Sequence, residues 1–231
     1  MDKKALLDLI ARINTKDESF AISTETTRWK ALREAELLTD AALFPQLMEM
    51  INEHEGKDKK KRDVRDAAYF ILGRLLETSF DKAAASFFIQ RLKRENDKHI
   101  LDSMLNRITD WQRSAKIMLP ADVDISPILS LAKDERRRVR HSAIHALGTC
   151  PGSESRKVLA HYLTQADEKT WQYEMYYANI ALQTIGEPAD IPLLERFLKS
   201  RRPDLKLTAQ YAIAYIKERS KAAPSDGFHN V

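Results

Sequence analysis

The sequence has one cysteine, six glycines and eight prolines among 231 residues, and it has no long apolar run. The lone thiol, Cys150, excludes an internal disulfide and a thiolate-rich metal site. So few glycines and prolines disfavour a turn-rich β fold, because such folds use these residues at their turns. No stretch reaches the roughly 18 consecutive apolar residues that a membrane helix needs. We therefore expect a helical, soluble protein with a cytoplasmic location and no membrane partner.

Positive charge is concentrated in two short segments. The formal net charge is only +4, but residues 57–65 carry six basic and two acidic side chains, and residues 133–141 carry five and two. These first and second basic clusters together hold +7, which leaves −3 for the rest of the chain. Attraction for a polyanion should therefore be confined to the two clusters.

An internal repeat runs through the sequence. Its pattern is aliphatic-Arg-x-x-Ala-x-x-x-Leu-Gly, in full or degraded form, and copies begin at Val64, Val139, Tyr177 and Leu205. The first two match at all five named positions with an offset of 75 residues, which is two repeats of about 37. The alanine should let a neighbouring helix approach closely, and it is Ala68, Ala143, Ala181 or Ala209. The glycine should end the helix with a left-handed cap.

Hydrophobic periodicity predicts six pairs of helices. The dipeptides Phe44-Pro45, Ser126-Pro127 and Ile191-Pro192 mark the first turn of a helix. Proline is tolerated there because an N–H group in the first turn would have no acceptor within the helix. The predicted pairs are 3–14 with 26–38, 41–53 with 62–77, 80–94 with 97–113, 125–133 with 136–148, 153–165 with 169–185, and 189–199 with 203–219. Stacked pairs should share one core over residues 1–220, because a single pair cannot bury its apolar face. Residues 221–231 are predicted to be a disordered tail.

The repeat motif, on a helix that follows a proline-headed helix, resembles the HEAT repeat in its short bacterial, phycobilisome-lyase-like form. The resemblance covers residues 125–216 and 41–77 best. It implies an all-α solenoid, a right-handed superhelix of about six helical pairs whose second helices line the concave face. It also implies that the motif arginines, Arg65 and Arg140, pair with an acidic group of an adjacent repeat. It implies no activity, because such stacks mostly serve as scaffolds.

Candidate binding residues follow from the register of the repeat. The position after the motif arginine, and the one four residues later, should face away from the core of each second helix. The resulting concave ladder includes Arg107, His141, His145, Asn179 and Gln183, and it continues to Leu207 and Tyr211. Substitution of ladder residues should weaken binding and spare stability. The neighbouring Tyr173, Tyr176 and Tyr177 cannot all point inward, so at least one should be exposed, and Tyr177 joins the candidates.

Both basic clusters precede a motif arginine at equivalent repeat positions, where a second helix should start. Positive charge there opposes the helix dipole, so helix stability gives no reason for it. A functional rim and a solvated surface both remain open as explanations. The candidate rim residues are Lys60, Arg62, Arg136 and Arg137.

Motifs of catalysis are missing. The sequence has no glycine-rich phosphate loop, dinucleotide fingerprint, nucleophile elbow or zinc-protease motif. His141 and His145 have the spacing of metal ligands but lack a third donor. His54-Glu55 is one His-Glu pair, whereas HEAT-like deoxyhypusine hydroxylases use several to hold iron. Asp110-Trp111 is the one adjacent pair similar to the carboxylate and tryptophan of HEAT-like DNA glycosylases. The sequence thus favours a non-catalytic protein without metal or cofactor.

Two functions remain as hypotheses. The first is a scaffold that binds a protein or peptide partner on the concave face. The alternative is a nucleic-acid-binding module that uses the two basic clusters, which suits a calculated pI of about 9.0. A HEAT-like DNA glycosylase is a third hypothesis and is less favoured, because only the pair Asp110-Trp111 supports it.

Overall fold

The computed structural model describes residues 1–16 and 23–222, which form α-helices and short 3-10 turns with no strand. These residues divide into two compact units. The first unit comprises Met1–Ile117 with Asp122–Pro127, and the second comprises Met118–Ala121 with the described residues from Ile128 onward. The all-α fold predicted from the sequence is confirmed.

The described residues of the first unit, 1–16, 23–117 and 122–127, contain six complete α-helices: α1 (Lys3–Ile13), α2 (Thr27–Glu36), α3 (Leu43–Glu53), α4 (Lys59–Thr78), α5 (Lys82–Arg91) and α6 (Lys98–Ala115). Acidic side chains start several of them. Asp58, Asp81 and Asp97 each accept a backbone N–H of the first helical turn. Such N-caps satisfy amide donors that have no partner inside the helix. Within this unit α3 packs on α4, and α4 packs on α6.

Further helices follow along the chain: α7 (Ser126–Leu131), α8 (Arg137–Ala146), α9 (Ser153–Leu163), α10 (Gln172–Ile185), α11 (Ile191–Glu195) and α12 (Pro203–Ala222). In the second unit α10 is central, because it packs against α8, α9 and α12. Short 3-10 turns follow α8 and flank α11. The second helices of consecutive repeats therefore lie side by side here.

All six predicted pairs are present, with boundaries shifted by a few residues. The largest gain is at α4, which begins at Lys59 rather than 62 because Asp58 caps it through the backbone N–H of Lys61. Helix α12 runs to Ala222, and residues 223–231 of the predicted tail lie outside the described residues. The single solenoid over 1–220 and its right-handed course stay predictions.

The motif alanines and glycines explain how closely the helices pack. Ala68, Ala143, Ala181 and Ala209 are all fully or almost fully buried, as predicted. The left-handed caps predicted for the motif glycines are wrong, because Gly186 has φ −65° and Gly73 lies inside α4. The glycines instead permit close approach: a Cβ on Gly148 would lie 3.1 Å from the Cα of Ala181. On Gly186 it would lie 2.6 Å from Ile216 Cδ1.

Candidate functional site

A buried arginine links two repeats of the first unit. Arg65 on α4 donates from Nε to Glu95 Oε2 at 3.1 Å. Its Nη1 donates to the carbonyl oxygens of His54 and Gly56 at 2.6 and 2.9 Å. The side chain therefore ties the loop before α4 to the loop before α6.

Arg140 does the same in the second unit. It donates from Nε and Nη2 to Glu174 Oε1 at 2.9 and 2.7 Å, and from Nη1 to the carbonyl oxygen of Asp134 at 2.7 Å. The expected pairing of the motif arginines with an acidic group of the next repeat is confirmed. Arg65 and Arg140 are thus structural residues.

Aromatic rings lie directly outside the Arg140–Glu174 pair. His141 and His145 on α8 meet Tyr173 and Tyr177 on α10, and we call these four residues the aromatic cluster. The ring of His141 stacks on Tyr173 with centroids 5.6 Å apart and planes 26° apart, and it lies 5.5 Å from Tyr177. His145 lies 5.4 Å from Tyr177. Tyr173 is 48% exposed, so the cluster reaches the surface.

Charge surrounds the cluster. His141 Nε2 lies 3.1 Å from Glu174 Oε1. Burial raises the pKa of Glu174, but the contacts with His141 and Arg140 outweigh it and lower the pKa to about 2. Glu174 is therefore ionised at neutral pH. On the outer side, the guanidinium of Arg137 lies 4.9 Å from the centre of the Tyr173 ring, at cation–π distance.

A second exposed stripe runs along α12. Leu207, Tyr211 and Tyr215 are 50%, 51% and 48% exposed. They are four residues apart, so they share one face of the helix. The first two are ladder residues, and their predicted orientation away from the core is confirmed.

The predicted orientation of Asn179 is wrong. This side chain is fully buried, and its Nδ2 donates to the carbonyl oxygen of Leu205 at 3.3 Å and to Thr208 Oγ1 at 3.1 Å. The error has a physical reason: α12 packs onto the face of α10 that carries Asn179. Gln183, one turn later, is half-buried and donates to the carbonyl oxygen of Thr208 at 3.4 Å. Asn179 cannot contact a partner directly.

Arg107 on α6 of the first unit is the ladder residue that corresponds to Gln183. Its guanidinium lies 5.5 Å from the ring centre of Phe70, and its Nη2 lies 3.1 Å from Asp110 Oδ2. Glu77 Oε1 is 3.8 Å from Nη1 of the same arginine. Arg107 is thus half-buried among two carboxylates and one ring.

Asp110 and Trp111, the pair that suggested a DNA glycosylase, have structural roles. Trp111 is fully buried, packs on Phe88 with centroids 5.5 Å apart, and donates from Nε1 to the carbonyl oxygen of Gly73 at 2.9 Å. It cannot present its ring to a nucleobase without unfolding this packing. Its neighbour Asp110 pairs with Arg107.

The basic clusters are exposed but carry internal ion pairs. In the first cluster Lys59 pairs with Asp63, and Arg62 pairs with Asp97 at 3.1 Å. In the second, Arg136 pairs with Asp134 at 2.8 Å. Lys60 and Arg137 are exposed. Part of the positive charge seen in the sequence is therefore neutralised locally.

The sequence reasoning did not select Tyr173 and Glu174 as site residues. Tyr173 sits one turn before Tyr177, so the spacing of the two tyrosines could have indicated a shared stripe on α10. Glu174 could have been sought as the acidic partner of Arg140. A fixed offset within the motif predicted Asn179 instead. That prediction took no account of α12, which covers this face of α10.

Among residues 1–16 and 23–222, no group of three or more histidine, cysteine or acidic side chains is placed to hold a metal ion. The helices of these same ranges include none that is long and apolar enough to cross a membrane. The cytoplasmic location stays a prediction.

Residues 125–214 match the family model of HEAT repeats, which confirms the predicted resemblance to HEAT repeats over this part of the chain. The phycobilisome-lyase-like form and the resemblance over residues 41–77 stay predictions. No curated protein matches the chain. Solved structures that are similar to it include two designed proteins. One is the designed armadillo repeat protein YIII(Dq)4CqI, 15% identical, with 90% of this chain and 98% of that chain covered and a TM-score of 0.49. The other is a computationally designed armadillo repeat protein for modular peptide recognition, 14% identical, with the same coverage and TM-score.

Proposed function

We propose that the chain is a non-catalytic scaffold whose second unit binds a protein or peptide on the exposed side of α8, α10 and α12. The observation that carries this proposal is the aromatic cluster. Single exposed rings are ordinary on protein surfaces. Here the rings of two neighbouring helices contact each other, and one of them, Tyr173, is 48% exposed.

The cluster suits recognition because it is held in place before a partner arrives. His141 is fixed between two tyrosine rings above the ionised Glu174. Tyrosine offers a large contact area with few rotatable bonds, so ordering it on binding costs little entropy. Aromatic and arginine side chains also dominate binding hot spots. Arg137 adds a cation beside Tyr173.

The proposed contact residues are therefore His141, His145, Tyr173, Tyr177 and Arg137, with Gln183 at the edge. Asn179 supports them from within, by holding α10 against α12. Arg107 belongs to the first unit, where its stack on Phe70 is proposed as a contact of that unit.

Selection from a peptide display library tests this function. Peptides selected on the purified chain should bind a Tyr173→Ala, His141→Ala double variant at least tenfold more weakly, about 1.4 kcal/mol. A matched Lys169→Ala variant, altered in an exposed residue before α10, should bind them as the unaltered chain does. The proposal fails if no peptide is selected, or if the double variant binds the selected peptides unchanged.

Nucleic-acid binding by Lys60, Arg62, Arg136 and Arg137 is the second candidate, favoured by the exposure of the basic clusters. Contacts to several phosphates would make affinity for a DNA or RNA duplex fall by orders of magnitude between about 50 and 200 mM salt. Negligible duplex affinity at the lower salt concentration would dismiss this candidate. It ranks second because Arg62 and Arg136 already pair with carboxylates of the chain.

A further inference from the structure

A pocket in the first unit lies between the loop before α4 and the loop before α6. Its cavity volume is about 400 Å³, and pockets for small ligands measure roughly 300–1,000 Å³. Five cationic side chains line it: Lys57, Arg62, Arg65, Arg91 and Arg94. We call it the arginine pocket. It includes the start of the first basic cluster, which the proposed peptide site does not use.

Two of the arginines are fixed by burial. Arg65 and Arg91 are each 6% exposed. Besides the bonds of Arg65 described above, Arg91 donates from Nε to the hydroxyl oxygen of Tyr69 and from Nη1 to Asn52 Oδ1, both at 3.2 Å. A guanidinium held in this way needs little reorganisation to bind an anion.

Glu55 bridges Arg91 and Arg94 at the mouth of the pocket. Its Oε1 accepts hydrogen bonds from Nη1 of Arg91 and from Nη1 of Arg94, the latter at 3.0 Å. Its side chain is 47% exposed, and that of Arg94 is 69% exposed. These hydrogen bonds, first from Arg91 and then from Arg94, hold the pKa of Glu55 below its ordinary value. An exposed carboxylate thus occupies a position where two guanidinium groups converge.

The other carboxylates of the pocket have structural roles. Glu95 accepts from Arg65 and from the backbone N–H groups of Asn96 and Asp97. Asp97 caps α6 and pairs with Arg62. Five cations and three carboxylates line the pocket. Among the contacts of the described residues, Glu55 is the one carboxylate of the three that accepts no backbone N–H and caps no helix.

We infer that the arginine pocket binds a small ligand that carries a phosphate group, whose oxygen atoms replace the Glu55 carboxylate between Arg91 and Arg94. Guanidinium groups bind phosphate oxygens with strong, charge-assisted and often bidentate hydrogen bonds. Displacement of Glu55 leaves five cations and two carboxylates around the ligand, so a dianion balances the remaining charge better than a single carboxylate does.

Titration of the full chain with pyrophosphate tests the site. Isothermal calorimetry is run at constant ionic strength, with orthophosphate and phosphoserine amide as further ligands and acetate as a carboxylate control. Saturable binding of a phosphate ligand, with no binding of acetate, is expected. The relative affinity of phosphoserine amide and pyrophosphate then distinguishes a phosphorylated side chain from a free phosphate compound as the source. The side-chain Nε–Hε resonances of Arg91 and Arg94 should shift during the titration.

Two variants give opposite expected effects. Arg94→Gln should weaken pyrophosphate binding about tenfold or more, because one charge-assisted contact is lost. Glu55→Gln should strengthen it by about threefold or more, because a neutral amide competes less well for the two arginines. Arg113→Gln removes an exposed arginine of α6 outside the pocket and should change the affinity less than about twofold. Tyr173→Ala should leave it unchanged.

Several outcomes would overturn the inference. They are the absence of saturable binding by any of the three phosphate ligands, an equal loss in Arg94→Gln and Arg113→Gln, or weaker binding by Glu55→Gln. Binding of a nucleic-acid duplex without binding of the small phosphates would overturn it too. In each case the arginines would serve only to hold the two loops together.

Discussion

Arg65 with Glu95 in the first unit and Arg140 with Glu174 in the second form the same kind of buried link. In both, the arginine also donates to carbonyl oxygens of the loop before its own helix. The layer outside this link differs. In the first unit the arginine pocket, which Arg62, Arg91 and Arg94 also line, adjoins the link, whereas in the second unit His141 of the aromatic cluster adjoins it.

This difference separates the scaffold from the surface that it carries. The repeat requires the alanine, the glycine and the arginine, because these allow close packing and tie consecutive loops together. Positions next to the motif are less constrained by the core where no other helix covers them, as at the exposed Tyr173. Binding specificity should therefore be encoded in the aromatic cluster and the arginine pocket rather than in the motif.

The largest effect is expected from the buried links themselves. Glu174→Gln leaves Arg140 without its ionised partner and should lower the free energy of unfolding by about 3 kcal/mol. Glu95→Gln should cost about the same in the first unit, because Glu95 and Glu174 are both buried. Urea denaturation of both variants checks this. A loss in only one of them would show that the two links are not equivalent.

The Glu174 link should also depend on pH. Since folding lowers the pKa of Glu174 from 4.5 to about 2, its contribution is full above pH 4.5 and is lost as the pH falls through 2. The stability difference between the unaltered chain and Glu174→Gln should therefore shrink on acidification across this window. Denaturation at pH 6, 4 and 2 measures it, and a constant difference would contradict the assigned ion pair.

The motif alanines should give the next largest effect. Ala143→Phe in the second unit and Ala68→Phe in the first should each lower stability by about 1–3 kcal/mol, because both positions are fully buried. Thermal unfolding of both variants tests the repeat alignment across the units. An unchanged melting temperature for either one would mean that its motif copy does not pack as the other does.

The fold was largely predictable because its signals are local and periodic. Helix pairs and motif alanines follow from residues that recur at fixed offsets, and the structure contains them all. The acidic partners of the motif arginines do not recur in this way, since Glu95 lies 30 residues after Arg65 and Glu174 lies 34 residues after Arg140. The conformation of the motif glycines was not predictable in this way. Gly186 serves the approach of Ile216, which comes from another helix and leaves no trace in the local sequence.

The candidate site was predictable only in part. His141 and His145 were selected from the register and Tyr177 from the cluster of three tyrosines, and their contact with one another required the packing of α8 on α10. Asn179 had the same register but a different environment. The arginine pocket unites residues from two loops, so a reading of single segments could find only its Lys57 and Arg62 side.

Asn179 and Gln183 sharpen this distinction between register and environment. Asn179→Ala should lower stability by about 1–2 kcal/mol, because it removes the buried amide that donates to Thr208 Oγ1 and to the Leu205 carbonyl oxygen. Gln183→Ala, one turn along the same helix, should lower it by less than about 0.5 kcal/mol. Urea denaturation measures both. Equal losses would mean that α12 does not cover the two positions differently.

The smallest effect on stability is expected at the surface of the aromatic cluster. Tyr173→Ala removes a stack on His141 and a contact with Arg137, but the side chain is 48% exposed and leaves no cavity. The free energy of unfolding should therefore fall by no more than about 0.5–1 kcal/mol. Tyr211→Ala, at a tyrosine of similar exposure on α12, is the matched control and should lower it by less.

Comparison of Tyr173→Ala with Asn179→Ala then separates a binding surface from a structural one within α10. If the cluster is a binding surface, Tyr173→Ala unfolds at nearly the same urea concentration as the unaltered chain and binds the selected peptides at least tenfold more weakly. If Tyr173→Ala instead loses as much stability as Asn179→Ala, the rings hold α8 and α10 together, and peptide recognition must lie on another part of the chain.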